Sequence, residues 1–235
     1  MEPRRYERYT PKEEIMVSLR LPPEQQNWTF TGHMVDLGQS GLSLFNFLLF
    51  VAVLVGFAAL AYAGLDDAVS AYEKGDYARA YGEFKALAEQ GNAGAQCRLG
   101  TQYAKGQGVP KDYVQALKWY RRAAEQGHAE AQYYLGVMFD TGEGVPQDYG
   151  EAIKWYRKAA EQGLAVAQSN LGAMYGLGQG VPQDYVQALK WFNLAASQGY
   201  PEAQKGMDLI GNGMTPAQIA EAKRLAKEWK PKSRD

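Results

Sequence analysis

The sequence predicts a mainly α protein: a solenoid-like stack of helix pairs, preceded by one transmembrane or signal helix and a short β segment. Three observations predict it. Residues 93 to 200 repeat with a gapless period of 36. Residues 37 to 65, 29 in a row, carry no charge. Residues 1 to 44 show strand-like runs without helical periodicity.

Charge divides the same way. The 235 residues carry 25 Lys+Arg and 26 Asp+Glu, a net of −1. That balance excludes a chain built to coat a nucleic-acid polymer, whose phosphates demand a basic excess. Residues 1 to 44 hold five basic and six acidic groups, and residues 64 to 235 hold 20 of each, so each wet end is balanced separately. Cys97 stands alone, which excludes an internal disulfide and a Cys-rich zinc site, and two histidines (His33, His128) are too few for a His-based metal cluster.

In residues 1 to 44, Ile15 to Leu21 (IMVSLRL) and Phe30 to Leu37 alternate like strands around Pro22-Pro23. The apolar run that follows, residues 45 to 63 (FNFLLFVAVLVGFAALAYA), is long enough to cross a hydrocarbon core, for which about 20 residues are needed. Ala61-Tyr62-Ala63 before Gly64 also has the small-x-small form of a signal-peptidase site. Two readings stay open: a single-pass membrane anchor, or a leader cleaved near Ala63. Both place the C-terminal part outside the cytoplasm, and the five basic residues before the run favour an N-terminus inside.

The full copies span residues 93–128, 129–164 and 165–200, and half of their positions are identical in all three. Such self-similarity is the signature of a repeat stack. Each copy predicts two helices. The first begins near Ala93, carries Ala95, Leu99 and Tyr103 on one face, and ends at Gly106, which can take the left-handed conformation. Gly108-Val109-Pro110 turns the chain. Asp112 is placed to cap the second helix, with Gln115 as the reciprocal partner of a capping box. Tyr113, Ala116, Trp119, Tyr120 and Ala123 form its stripe, with the Trp expected between successive pairs. A half copy, residues 65–92, precedes in register, and Pro201 opens a fourth that diverges, so the repeat region spans 65–211. Residues 215–230 then predict a polar-backed capping helix, with Ile219, Ala222, Ala226 and Trp229 on its apolar face.

The blocks AxAQ, LG, GxGVPxDYxxA, KW and AAxQG resemble Sel1-like repeats, relatives of tetratricopeptide repeats. The resemblance implies a right-handed α-solenoid that gathers protein partners, in bacteria often beyond the inner membrane. It therefore implies a bacterial inner-membrane protein with its repeats in the periplasm, or a soluble periplasmic product if the leader is cleaved. Cys97 has no repeat-related cysteine partner, unlike the relatives that pin each repeat with a disulfide.

Candidate sites follow from what recurs and what varies. Gly106-Gln107-Gly108 and its counterparts follow a helix and recur three times, which marks a structural turn rather than a phosphate cradle. Trp119, Trp155 and Trp191 recur as packing positions. No Ser-x-x-Lys, HExxH or repeated acid–base pair occurs outside cap positions, so an enzyme is not expected. Variation falls on the first helices, in the sets Arg98/Tyr134/Asn170, Gln102/Met138/Met174 and Cys97/Tyr133/Ser169. Because first helices usually line the concave side of such stacks, Arg98, Tyr133, Tyr134 and Met138 are the expected partner-binding residues. Surface drift produces the same variation.

The opening Arg4-Arg5-Tyr6-Glu7-Arg8 and the later Asp36-Leu37-Gly38-Gln39-Ser40-Gly41 resemble the start of a PilZ domain, here truncated at the apolar run. The resemblance implies cyclic di-GMP as a ligand, with Arg4, Arg5, Arg8, Asp36 and Gly41 as its contacts. Guanidinium forks match phosphate oxygens and the guanine edge. Three functions result: a membrane-anchored adaptor without a cofactor, a cyclic-di-GMP receptor signalling through its repeats, or a cleaved periplasmic repeat protein.

Overall fold

Aspartate starts the second helix of each copy, and glycine stops the first. The computed structural model describes residues 64–232; the expected β segment (1–44) and the apolar run (45–63) lie outside the described residues. The chain is helical over residues 64–73 (α1), then in α2 (Tyr77–Glu89), α3 (Ala93–Lys105), α4 (Tyr113–Glu125), α5 (Ala129–Thr141), α6 (Tyr149–Glu161), α7 (Ala165–Leu177), α8 (Tyr185–Ser197), α9 (Pro201–Gly211) and α10 (Pro216–Glu228). Asp112, Asp148 and Asp184 each accept the backbone N–H three residues on, at 3.0 Å. Such caps contribute about 1 kcal/mol each. Gly106, Gly142 and Gly178 close α3, α5 and α7 at φ 70°, 78° and 71°.

The reciprocal box expected at Asp112 and Gln115 is corrected. Asp112 N–H donates instead to the Tyr103 carbonyl at 2.9 Å, and Asp148 and Asp184 donate likewise to Phe139 and Tyr175. The donor that Gln115 would have satisfied already ties the two helices of the pair together. Among the described residues the reciprocal box forms at Thr215, whose N–H donates to Gln218 Oε1 at 2.8 Å while its Oγ1 accepts from Gln218 N–H at 3.3 Å.

From α2 to α9 each helix packs on the next, so the core runs along the stack rather than around one centre. Within a copy, the aromatic ring at Tyr120, Tyr156 or Phe192 lies on the backbone of Gly100, Gly136 or Gly172. A Cβ on Gly136 would stand 2.5 Å from the Tyr156 ring, so the Leu-Gly pair of each copy marks where an aromatic crosses a helix. Between copies, the Gly-Val-Pro turn rests on the preceding second helix. A Cβ on Gly108 would stand 2.1 Å from the Tyr77 carbonyl oxygen, so this glycine serves close backbone approach rather than ligand binding.

Glutamines join the copies. Gln96, Gln132 and Gln168 are buried. Their Nε2 groups donate to the carbonyls of Ala88, Ala124 and Ala160 at 3.0, 3.1 and 3.2 Å. Their Oε1 atoms accept from Gln126, Gln162 and Gln198 at 2.7, 2.8 and 2.9 Å. Each buried amide thus has a donor and an acceptor partner, the condition for burying it without penalty.

The C-terminal end is closed by α9 and α10, both packed on α8. Ala222 of α10 is fully buried, Ile219, Ala226 and Trp229 are partly buried against the core, and Lys223, Arg224, Lys227 and Lys230 are exposed. No helix among the described residues is long and apolar enough to cross a membrane.

Candidate functional site

The two adjacent tyrosines of α5 are set by their place in the copy. Leu135 beside them is fully buried, and the turn of the helix leaves Tyr133 and Tyr134 half-buried. Tyr134 stacks on Tyr120 with centroids 4.9 Å apart and planes at 20°. Tyr133 lies 5.3 Å from Tyr134 and 5.8 Å from Tyr156. The two buried supports are anchored by their hydroxyls: Tyr120 OH donates to Thr101 Oγ1 and Tyr156 OH to Asp140 Oδ2, both at 3.1 Å. Burial raises the phenol pKa of both Tyr133 and Tyr134, and the nearby Arg98 guanidinium opposes part of that rise at Tyr134. Both phenols are therefore neutral at physiological pH. Among the described residues neither hydroxyl has a hydrogen-bond partner, so each ring offers an apolar body and a free polar tip.

Arg98 is exposed and electrostatically close to Tyr134, so the structure brings together Arg98, Tyr133 and Tyr134. It does not bring Met138 to that surface. Met138 is 4 % exposed and lies in one buried cluster with Ala116, Tyr120 and Ala124 of the preceding copy, while its Cε would stand 3.0 Å from a Cβ on Gly144 of its own turn. The position is a core position in every copy: Met174 is buried, and Gln102 is fully buried with its Nε2 donating to the Tyr77 carbonyl at 3.0 Å. Arg4, Arg5, Arg8, Asp36 and Gly41 lie outside the described residues.

Cys97, His128 and Glu130 put their ligand atoms within 4.8 Å of one another. Their chemistry here is a helix cap. His128 Nδ1 accepts the Ala131 N–H at 3.3 Å, which leaves the ring hydrogen on Nε2, 3.4 Å from Glu130 Oε2. A metal on Nε2 would need that hydrogen moved to Nδ1, against the cap. Burial also pushes the Cys97 thiol up to about 12, away from the thiolate a metal requires.

Sequence reasoning missed the second-helix tryptophans as surface features. Arg122 stands over the Trp119 ring at 4.7 Å and Lys158 over Trp155 at 4.1 Å, and both rings are half-buried. Trp191 is only 5 % exposed, because Trp229 meets it edge-on at 6.1 Å. The signal available was Leu194, apolar where the earlier copies have Arg122 and Lys158.

The family model for the Sel1 repeat matches residues 93–128, 129–164 and 165–200. A Sel1 repeat protein from Oxalobacter formigenes, solved by crystallography, is 35% identical over 70% of this chain and 70% of its own, with a TM-score of 0.60. The chain is a Sel1-repeat protein. A second crystal structure, of a protective antigen present in uropathogenic Escherichia coli strains and displaying an SLR fold, is 34% identical over 74% of this chain with a TM-score of 0.61; the chain spans 39% of that protein's length. No curated protein matches the sequence. The Sel1 assignment accounts for the helical solenoid of the described residues and for the glycine, glutamine and tryptophan positions that recur every 36 residues.

Proposed function

We propose that this Sel1-repeat protein is a non-enzymatic adaptor that holds a partner protein at Tyr133, Tyr134 and Arg98. One observation carries the reading: two adjacent half-buried tyrosines with unpaired hydroxyls, stacked on rigid neighbours and flanked by an exposed arginine. Tyr and Arg are enriched among the residues that dominate interfaces. The test is affinity capture with the full chain, comparing the natural protein with the Tyr133→Ala/Tyr134→Ala double variant. Loss of the captured partners with the helical spectrum unchanged supports the reading; an unchanged partner set removes it.

The adaptor is read as membrane-anchored by residues 45 to 63, with the repeats in the periplasm. The uncharged run from 37 to 65 supports this. N-terminal sequencing of the mature protein tests it, since cleavage after Ala63 would leave Gly64 first. A second reading, regulation by cyclic di-GMP, is supported by the spacing of Arg4, Arg5 and Arg8 and by Asp36 with Gly41. Calorimetry on the full-length protein in detergent tests that one, and absence of uptake removes it.

A further inference from the structure

The chain's own C-terminal segment occupies a seat that the repeats build more than once. After α10 the backbone turns extended at Trp229 and runs to the end of α6. Trp229 covers Trp191. Pro231 and Trp229 lie over Gly163, 3.9 and 4.0 Å from where its Cβ would be. Lys232 then makes two contacts with one residue: its N–H donates to the Glu161 carbonyl at 2.8 Å, and its Nζ pairs with Glu161 Oε2 at 2.7 Å. Glu161 is the last residue of α6, so the segment satisfies a carbonyl that a helix end leaves orphaned and places an ammonium where the helix dipole favours one.

The parts of this seat are repeat positions. Glu161, Gly163 and Trp191 correspond, 36 residues earlier, to Glu125, Gly127 and Trp155. At that earlier junction of α4 and α6 the parts are open. Among the described residues nothing comes within 4 Å of a Cβ on Gly127, no N–H donates to the Glu125 carbonyl, and the Glu125 carboxylate has no partner. Glu125 is exposed and Trp155 half-buried, whereas Glu161 is half-buried and Trp191 buried. Two features differ: Lys158 stands over Trp155 at 4.1 Å where the filled seat has the buried Leu194, and in the filled seat Lys190 stands over Trp191 at 4.3 Å while its counterpart Lys154 pairs with Glu151.

We propose that the α4–α6 junction is a second docking site, for an extended segment of a partner protein with the chemistry of the chain's own tail: an aromatic residue, proline two positions on and lysine three positions on. The aromatic residue covers Trp155, the proline lies over Gly127, and the lysine caps α4 through its N–H and pairs with Glu125. An acidic residue just before the aromatic, as Glu228 precedes Trp229, meets Lys158. The site goes beyond the adaptor reading above and shares no residue with the tyrosine cluster.

The probe is a fluorescent peptide of residues 226 to 235, titrated by anisotropy into the full chain. Binding is expected to weaken at least fivefold with Glu125→Arg, an exposed position whose change leaves the core untouched, and to vanish when the peptide's tryptophan is alanine. The Tyr133→Ala/Tyr134→Ala variant is expected to bind it unchanged, which separates this site from the adaptor surface. No binding to the natural chain overturns the proposal. So does binding that Glu125→Arg leaves unchanged while Glu161→Arg or Glu89→Arg abolishes it, since the peptide then exchanges with the tail or sits one copy earlier.

Discussion

Gln162 donates its side-chain amide to Gln132 Oε1 at 2.8 Å, while Gln132 Nε2 donates to the Ala124 carbonyl at 3.1 Å. One buried side chain thus joins three helices, α4, α5 and α6. Gln132→Leu keeps the volume and removes both bonds; the Ala124 carbonyl keeps the Gly127 N–H at 3.0 Å, so the cost is that of the two amide bonds. The expected loss is about 2 kcal/mol, read as a lower urea midpoint. Gln132→Glu is expected to behave as badly at pH 7, where a carboxylate faces the Ala124 carbonyl without a hydrogen.

Gly136 and Gly82 make a matched pair of tests. Alanine at Gly136 drives a Cβ to 2.5 Å from the Tyr156 ring and is expected to cost roughly 1–3 kcal/mol. Alanine at Gly82, an exposed α2 position where nothing described lies within 4 Å, is expected to stabilise by about 0.5–1 kcal/mol. Chemical denaturation of both variants checks the opposite signs.

Alkaline pH is expected to weaken the fold. Burial raises Cys97 from 9.0 to about 12, and it raises Tyr120 and Tyr156 as well. A raised acid contributes stability that is complete below its unfolded value and lost as pH climbs toward the folded one. Melting temperature should therefore fall from about pH 9 upward. Cys97→Ser, matching the buried Ser169 of the third copy, should flatten part of that fall. In the natural chain the thiol should resist alkylation at pH 8 until the protein unfolds.

Trp229→Ala should uncover Trp191. About 1–2 kcal/mol of stability is expected to be lost, consistent with a half-buried ring. Acrylamide quenching of the remaining tryptophan fluorescence should rise, and unchanged quenching would mean that the tail does not cover Trp191 in solution.

Periodicity made most of this fold readable. Helix ends at Gly106 and Asp112 follow from local chemistry, and three copies in one register state them three times. The second helices' buried stripe followed from spacing alone. Two kinds of position were not legible. Gln96, Gln132 and Gln168 are polar yet buried: each accepts from the glutamine at the end of its own copy and donates to an alanine carbonyl of the preceding one, a pairing that no local pattern reveals. Gln102, Met138 and Met174 vary, which suggested a surface, but they are similar in volume and fill one core position against the neighbouring copy. At the tyrosine cluster the residue types were visible; that Tyr120 and Tyr156 brace them was not.

The glutamine ladder has an end, and the end is chemical. Gln204, in register with Gln96, Gln132 and Gln168, donates instead to Asp208 Oδ1 at 2.9 Å, one turn along its own helix. A further copy spliced between residues 164 and 165 would donate its buried glutamine to the Ala160 carbonyl and offer its own second-helix carbonyl to Gln168, whereas one appended after residue 200 would have to displace α9 and α10. The molecule is thus a sentence that can take another clause only before its full stop: its reach can be lengthened by internal duplication, with the closing helices carried along unchanged.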